Sequence, residues 1–316
     1  MSTKDYFTQR YQKMISDFDL FLSSLERKHE VVLRPNKIKF PELDYAQSLG
    51  KYTKLDQEPL KKLDFYLDNY ALTANEKFSL GGSLEHTLGH FYSQSLSSQL
   101  AVDFLDPQAG ESVLDLCAAP GGKTVLIAER MQNQGMIVAN EIYRHRNIAL
   151  KANLDRMGVM NCVVTSYNGI EFPMTKQFDK VLLDGPCSAE GTLNFIDNKE
   201  LPFKNDNEFR KGLVRTQQKL ILKAFELLKE GGEMVYSTCT YAPEENESVV
   251  QYLLNQTTAK LVDMDSKVID TSIQDQLSDG IKEWNGEKFD QSMRFVKRVY
   301  PHKIQTGGFF IAKISK

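Results

Sequence analysis

Apolar runs of strand length alternate with helical segments from residue 112 to about residue 255. The runs read "SVLDLC", "MIVANE", "CVVTSY", "DKVLLDGP" and "GEMVYSTC". Strands that alternate with helices are joined by right-handed crossovers and form a parallel sheet covered by helices on both faces. The alternation therefore predicts an α/β fold with a doubly wound, Rossmann-like sheet. Ligands of such sheets lie beyond the carboxyl ends of the strands.

The two ends of the chain follow other patterns. The C-terminal stretch "RFVKRVYPHKIQTGGFFIAKIS" has two β-rich runs around a Gly-Gly loop and predicts an antiparallel hairpin that completes the sheet. Residues 6–25 carry an apolar stripe at helical spacing, and "EVVLRPNKIKF" reads as strand, turn and strand. We expect a small α+β domain over residues 1–85 and the α/β domain over residues 86–316.

Composition limits the class of protein. The 316 residues are 41% hydrophobic and 26% charged, which is usual for a soluble chain of one large and one smaller domain. The N-terminal residues lack the apolar core of a secretory signal, and no run has the roughly 18 apolar residues of a membrane span, so we expect a cytoplasmic location without membrane contact. The four cysteines form no CxxC pair, which predicts free thiols and no metal site.

Charge is uneven along this mildly acidic chain. The formal net charge is −3, which argues against non-specific coating of nucleic acid. Residues 27–39 nevertheless hold five basic residues against one acid, and residues 294–303 hold four against none. These clusters are either solvated faces or binding sites for a polyanion.

The loop after the first strand of the α/β domain, "DLCAAPGGKT", is the first candidate ligand site. It is not a phosphate-binding P-loop, because Cys117 stands where that motif needs a glycine. Gly121 and Gly122 still permit close approach of a ligand to the backbone. The next strand ends at Glu141, about twenty residues further on, where a carboxylate can hold the hydroxyls of a ribose. A ribose site without a diphosphate site indicates an adenosine-type cofactor.

Four ordered motifs now allow a resemblance to be stated. "VLDLCAAPGGKT", "LLDGPCSAEGT", "YSTCTYAPEENE" and "PHKIQTGGFFIAKI" resemble the Nol1/Nop2/Sun family of S-adenosylmethionine-dependent RNA cytosine-5 methyltransferases, whose members act on rRNA or tRNA. The resemblance covers roughly residues 85–316. "VVLRPNKIKF" is similar to the family's N-terminal RNA-binding segment, and "FYSQSLSSQL" to its segment before the methyltransferase domain.

The resemblance implies a binding site for S-adenosylmethionine. It assigns Glu141 to the ribose, Arg146 to the support of that site, and Asp184 to the cofactor or the target base. Asn168 stands where the family usually has an aspartate for the adenine amino group, and an amide oxygen can accept the same hydrogen bond. The residues of the first loop would surround the methionine end, namely Cys117, Ala118, Ala119, Pro120, Gly121, Gly122 and Lys123.

The resemblance also gives the two remaining motif cysteines a role. Carbon 5 of cytosine is a poor nucleophile until a thiolate adds at carbon 6, and thiols are well suited to such covalent catalysis. By the family pattern Cys239 is the nucleophile and Cys187 assists release of the product. A helix opened by Pro243 is expected to lower the pKa of Cys239. Cys162 has no such setting and is assigned to the core, where free cysteines are common.

Two other functions stay open at this point. A DNA cytosine-5 methyltransferase is the nearest rival, although such enzymes use the Pro-Cys thiol rather than the Thr-Cys thiol. A non-catalytic RNA-binding assembly factor is the other. The resemblance makes RNA the expected partner. We expect the chain to be a monomer. The RNA backbone is expected in one groove flanked by both basic clusters, through Arg34, Lys37, Lys39, Arg294, Lys297 and Arg298.

Overall fold

A computed structural model of the protein describes residues 2–27, 31–45, 48, 61–63, 69–72, 80–195, 207–264, 269 and 271–316. The helices are α1 (Thr3–Tyr11), α2 (Phe18–Ser24), α3 (Leu84–Leu88), α4 (Leu96–Leu105), α5 (Gly122–Arg130), α6 (Arg144–Met157), α7 (Asn207–Glu226), α8 (Glu247–Gln256) and α9 (Thr271–Gln274). The strands are β1 (Val31–Pro35), β2 (Lys61–Lys62), β3 (Tyr70–Leu72), β4 (Phe91–Ser93), β5 (Ser112–Asp115), β6 (Met136–Asn140), β7 (Cys162–Thr165), β8 (Phe178–Asp184), β9 (Leu228–Thr238), β10 (Lys260–Leu261), β11 (Ser278–Asp279), β12 (Glu283–Trp284), β13 (Glu287–Lys288), β14 (Lys297–Val299) and β15 (Phe309–Ser315).

The main sheet confirms the predicted doubly wound α/β fold. Its order is β11-β14-β15-β9-β8-β5-β6-β7, with β10 paired to β15, and the five strands from β9 to β7 are parallel. Strands β14 and β15 pair antiparallel across the Gly-Gly loop, as predicted. The chain reverses its direction of winding between β5 and β8, which opens a crevice at their carboxyl ends.

The core lies on both faces of this sheet, because the parallel strands are apolar on both sides. One cluster contains Leu100, Val113, Ile127 and Val235, and the other contains Leu114, Val181, Ile221 and Phe310. No helix in the described ranges is both long and apolar enough to cross a bilayer.

The N-terminal stripe is buried as predicted, but it belongs to two helices. Asp17 has a φ of 51°, outside the helical range, and separates α1 from α2. Phe7 and Phe21 are fully buried and pack edge-to-face on Tyr241, which lies two residues after Cys239. The two N-terminal helices therefore cover the loop that follows β9.

A separate four-stranded sheet has the order β2-β3-β1-β4. Its strands follow the two N-terminal helices in the sequence and precede the strands of the main sheet. Its edge strand β4 comes from residues 91–93, beyond the boundary expected at residue 85. The second strand expected in "KIKF" is wrong: residues 37–39 form a turn, because the Asn36 side chain accepts hydrogen bonds from the backbone of Ile38 and Lys39. The division of the chain into two domains stays a prediction.

Candidate active site

The crevice between β5 and β8 contains a cavity of about 240 Å³. Asp115 and Asp184, the last residues of these two strands, lie in its wall. The cavity is also lined by six of the seven predicted loop residues, all except Gly121, by residues 92–95 before α4, and by Ser98 in the first turn of α4. The structure thus brings the predicted cofactor loop and Asp184 together.

Two glycines give the loop its shape. Gly121 has a φ of +107° and ends the loop in a conformation that other residues rarely adopt. A Cβ added to Gly122 would lie 2.9 Å from the Tyr92 ring, closer than packing permits. The backbone can therefore approach both the aromatic wall and a ligand in the cavity.

Asp115 is a site residue that the sequence analysis did not single out. It is 1% exposed, its Oδ2 accepts a hydrogen bond from Thr124 at 2.7 Å, and its Oδ1 has no hydrogen-bond partner among the described residues. Burial raises the pKa of this carboxyl to about 7. The signal was available, since an acid that ends an apolar strand occurs in "VLDLC" just as it does at Asp184 in "LLDGPC".

Glu141 follows the end of β6 and is 2% exposed. Its carboxylate accepts a hydrogen bond from the backbone of Tyr143 at 2.9 Å and pairs with Arg146 at 3.0 Å. Arg146 also donates to the carbonyl of Ala119 at 2.8 Å, which connects Glu141 to the cofactor loop. Each carboxylate oxygen keeps acceptor capacity for a hydroxyl group.

Asn168 lies after β7, where its side-chain oxygen accepts from the backbone of Ile170 at 3.2 Å. Neither Glu141, Arg146 nor Asn168 lines the 240 Å³ cavity. Arg146 contacts the loop that does and connects Glu141 to it, whereas the Asn168 side chain caps the short helical turn that begins at Gly169.

Cys187 and Cys239 meet at the carboxyl ends of β8 and β9. These strands are paired with Asp184 opposite Ser237, and the two Sγ atoms lie 3.3 Å apart. A hydrogen bond from the Cys187 thiol lowers the pKa of Cys239, whereas burial and the negative charge of Asp184 raise it and the positive charge of Lys123 lowers it. The same hydrogen bond, together with burial, raises the pKa of Cys187. The pair therefore favours a thiolate on Cys239 and a thiol on Cys187.

The expected source of this effect was wrong. Residues 243–246 form turns, and α8 begins only at Glu247, eight residues after Cys239. Pro243 does not open a helix next to Cys239. The hydrogen bond from Cys187, rather than a helix N-terminus, lowers the pKa of Cys239.

Lys123 and Asp184 join the cavity to the thiols. Lys123 Nζ lies 2.8 Å from Asp184 Oδ2, and the Ser237 hydroxyl donates to Asp184 Oδ1 at 2.7 Å. Both members of this ion pair line the cavity and act on the pKa of Cys239, Asp184 raising it and Lys123 lowering it, so the pair connects the two halves of the site electrostatically.

A buried polar network holds the two cysteine loops together. The hydroxyls of Ser188 and Thr240, the residues after the two cysteines, lie 2.7 Å apart. The carboxylate of Glu245 accepts from the Ser188 backbone at 2.8 Å and from Gln217 at 3.1 Å. Gln217 also donates to the Pro186 carbonyl at 2.8 Å.

Arg210 extends this network to the N-terminal helix. It pairs with the fully buried Glu190 at 2.8 Å and Glu245 at 3.4 Å. Tyr6 donates to Glu190 at 2.8 Å, and Tyr11 donates to its other oxygen. Sequence reasoning missed these residues, although charged residues inside "CSAEGT" and "APEENE" were a signal that could have identified the two glutamates.

The six predicted RNA contacts divide into two groups. Arg34 is 3% exposed and pairs with Glu129 at 2.6 Å, and Arg298 is 1% exposed and pairs with Glu247. The prediction is wrong for both, because a guanidinium enclosed with its counter-ion cannot reach a phosphate. Instead, each guanidinium neutralises a carboxylate inside the protein.

The other four basic residues keep access to solvent. Lys37 and Arg294 are exposed, and Lys39 is exposed while its Nζ bonds the Leu88 and Arg156 carbonyls. Lys297 is half-buried and pairs with Asp279 at 3.0 Å. Their contact with RNA stays a prediction.

Comparisons with known proteins show which family the chain is similar to. The family model of 16S rRNA methyltransferase RsmB/F matches residues 102–315. The tRNA (cytosine(49)-C(5))-methyltransferase of Pyrococcus abyssi is 36% identical over 312 residues, 98% of this chain and 94% of the relative. The 28S rRNA (cytosine(4447)-C(5))-methyltransferase of Homo sapiens is 35% identical over 311 residues, 96% of this chain.

The chain spans only 36% of the length of that human relative. A solved structure, a methyltransferase homolog protein from Pyrococcus horikoshii, is 30% identical with a TM-score of 0.79, covering 98% of this chain and 94% of the other. The fold is therefore that of a Rossmann-like methyltransferase, and the resemblance found in the motifs is confirmed.

Proposed function

The chain belongs to the RsmB/F family of methyltransferases, and we propose that it transfers a methyl group from S-adenosylmethionine to carbon 5 of a cytosine in rRNA or tRNA. The observation that carries the proposal is the pair of thiols 3.3 Å apart, with the pKa of Cys239 lowered by Cys187. A thiolate is the form that attacks carbon. Two buried cysteines with a merely structural role would need no such polarisation.

The residues of the cavity fit S-adenosylmethionine. The cofactor has an ammonium group and a sulfonium, and the cavity offers the carboxylates of Asp115 and Asp184, of which Asp115 has an unpartnered oxygen. Backbone of the Cys117–Lys123 loop would border the methionine end, and Glu141 would hold the ribose. When bound, the cofactor supplies the methyl group.

The thiols carry the chemistry on the base. The Cys239 thiolate adds to carbon 6 of the cytosine, so that the electron pair of the 5,6 double bond makes carbon 5 nucleophilic toward the methyl group. After methylation, carbon 5 gives its proton to water, the electron pair of that bond forms the 5,6 double bond again, and the bond between carbon 6 and sulfur breaks. The sulfur leaves as the Cys239 thiolate.

Cys187 would act in the last step. Its sulfur lies 3.3 Å from that of Cys239, so its S–H can donate to the departing Cys239 thiolate and stabilise it. The target base must leave its stack to reach these residues, which costs a few kcal/mol and is easiest for an unpaired cytosine. RNA is proposed rather than DNA because the Thr-Cys thiol is the member of the pair whose pKa is lowered.

Cysteine variants test the mechanism on a denaturing gel after incubation with labelled RNA and S-adenosylmethionine. Cys239→Ala should form neither adduct nor product, whereas Cys187→Ala should methylate but release slowly and trap a covalent protein–RNA complex. Cys162→Ala is the matched control, since this half-buried thiol lies on β7 away from the pair, and it should behave like the wild type.

Three outcomes decide against the proposal. A trapped adduct with Cys239→Ala and none with Cys187→Ala reverses the two roles. Methyl transfer unaffected by either change excludes covalent catalysis by these thiols. Faster methylation of a DNA oligonucleotide than of the RNA of the same sequence favours the DNA enzyme.

A further inference from the structure

A second cavity, of about 350 Å³, lies beside the loop that follows Cys239. Its lining contains four basic residues, one acid and one valine: Arg10, Arg210, Lys211, Arg215, Glu244 and Val214. We call it the basic cavity. It is formed by α1, the first turns of α7 and residue 244, and none of these basic residues belongs to the two clusters that stood out in the sequence.

Two guanidinium groups of the basic cavity are held in place. Arg10 bonds Glu244 at 2.5 Å and lies over the rings of Tyr11 and Trp284 at 5.3 and 5.5 Å. Arg210 is fixed from behind by the buried carboxylates described above. Fixed side chains lose little conformational entropy when a ligand arrives. Their own counter-ions, however, offset most of their charge.

Uncompensated positive charge comes from the exposed face of α7. Lys211, Arg215 and Lys219 are exposed and follow one another at intervals of four residues, so they lie in one row along the helix. Lys211 pairs with Glu208, but both side chains are more than half exposed and such a pair is weak. Within the described part of the chain, Arg215 and Lys219 have no hydrogen-bond or ion-pair partner.

The row begins next to the reacting thiols. Arg210 bonds Glu245, and Glu245 accepts from the backbone of Ser188, the residue after Cys187. A polynucleotide whose cytosine reaches Cys239 must pass its neighbouring nucleotides over the surface around these loops. Arginine is well matched to phosphate because its planar donors bind two oxygens at once.

We propose that the basic cavity and the row Lys211, Arg215 and Lys219 bind the phosphodiester backbone of the RNA beside the target cytosine. This inference rests on the proposed function and adds a substrate-binding surface to it. The contacts are to phosphate and so are independent of base sequence. Arg215 and Lys219 attract the phosphate groups electrostatically. Arg10 and Arg210, whose side chains are fixed, line the site.

The test is the salt dependence of RNA binding by the double variant Arg215→Gln/Lys219→Gln. Binding of a fluorescein-labelled, mixed-sequence single-stranded RNA is measured by anisotropy over a range of salt concentrations. Each lost phosphate contact lowers the log-log slope by about 0.7 for a single strand, so the slope should fall by about 1.4. Affinity for S-adenosylmethionine should not change, because neither residue lies near its cavity.

Lys260→Gln is the matched control. Lys260 is exposed and lies opposite Ser315 in the sheet, and Ser315 lies opposite Glu233 in the middle of β9, six residues before Cys239. Its removal should leave the slope unchanged. A double variant with the wild-type slope, or a control with the same loss, would overturn the proposed surface. Wild-type protein that methylates no RNA would instead contradict the proposed function.

Discussion

Asp115 gives the sharpest quantitative prediction, because an almost fully buried carboxyl group with one unpartnered oxygen should weaken the fold when it ionises. Burial raises its pKa from 3.8 to about 7. Between these two values the folded state binds the proton more tightly than the unfolded state does. Its contribution to stability is therefore complete below about pH 4 and is lost as the pH rises through about 7.

The size of the effect follows from the shift. The two pKa values differ by about 3 pH units, and at 1.36 kcal/mol per unit this corresponds to about 4 kcal/mol of folding stability lost above about pH 8. About 1.5 kcal/mol of this loss has already occurred at about pH 5. Asp115→Asn keeps a side-chain oxygen for the Thr124 hydroxyl and removes the titration. The free energy of unfolding of the variant relative to wild type should thus rise by about 3 kcal/mol between about pH 5 and about pH 8.5.

Urea denaturation of both proteins at the two pH values measures this difference. Asp179→Asn is the control: hydrogen bonds from Lys229 and Ser112 outweigh partial burial and lower the pKa of Asp179 to about 2, below this window. Its effect on stability should therefore not change between the two pH values. A stability difference for Asp115→Asn that is also independent of pH would refute the reasoning about the buried carboxyl.

Three further changes have expected outcomes. Glu141→Ala should weaken binding of S-adenosylmethionine roughly ten-fold or more in calorimetry, since a hydrogen bond to a charged group contributes about 1.5–3 kcal/mol; unchanged affinity would remove Glu141 from the site. Arg298→Met leaves the buried Glu247 carboxylate without its counter-ion and should lower the free energy of unfolding by about 3–5 kcal/mol, while Arg294→Gln, at an exposed position, should leave it within about 0.5 kcal/mol. Arg210→Gln removes the cation between two buried carboxylates and should both destabilise the fold and slow adduct formation. If the variant is less stable but forms the adduct at the wild-type rate, the network has only a structural role.

Local pattern alone determined the sheet and the positions of the motifs on it. Alternation of strand-length and helical segments depends on which faces are apolar, and this is visible in a short window of sequence. The cofactor loop, Asp184 and both motif cysteines consequently lie at strand ends, as expected. Neither the pairing of β8 with both β5 and β9 nor the 3.3 Å distance between the sulfur atoms could be read from that pattern.

Tertiary structure decided which charges are free. Arg34 stands in a basic cluster of the sequence, yet it meets Glu129, 95 residues away, inside the protein. Arg215 lies in a helix that no motif marked, yet it is exposed beside the loop that follows Cys239 and has no partner among the residues that the structure describes. The reason is physical: burial and charge pairing depend on contacts between distant segments, and a window of neighbouring residues contains no information about them.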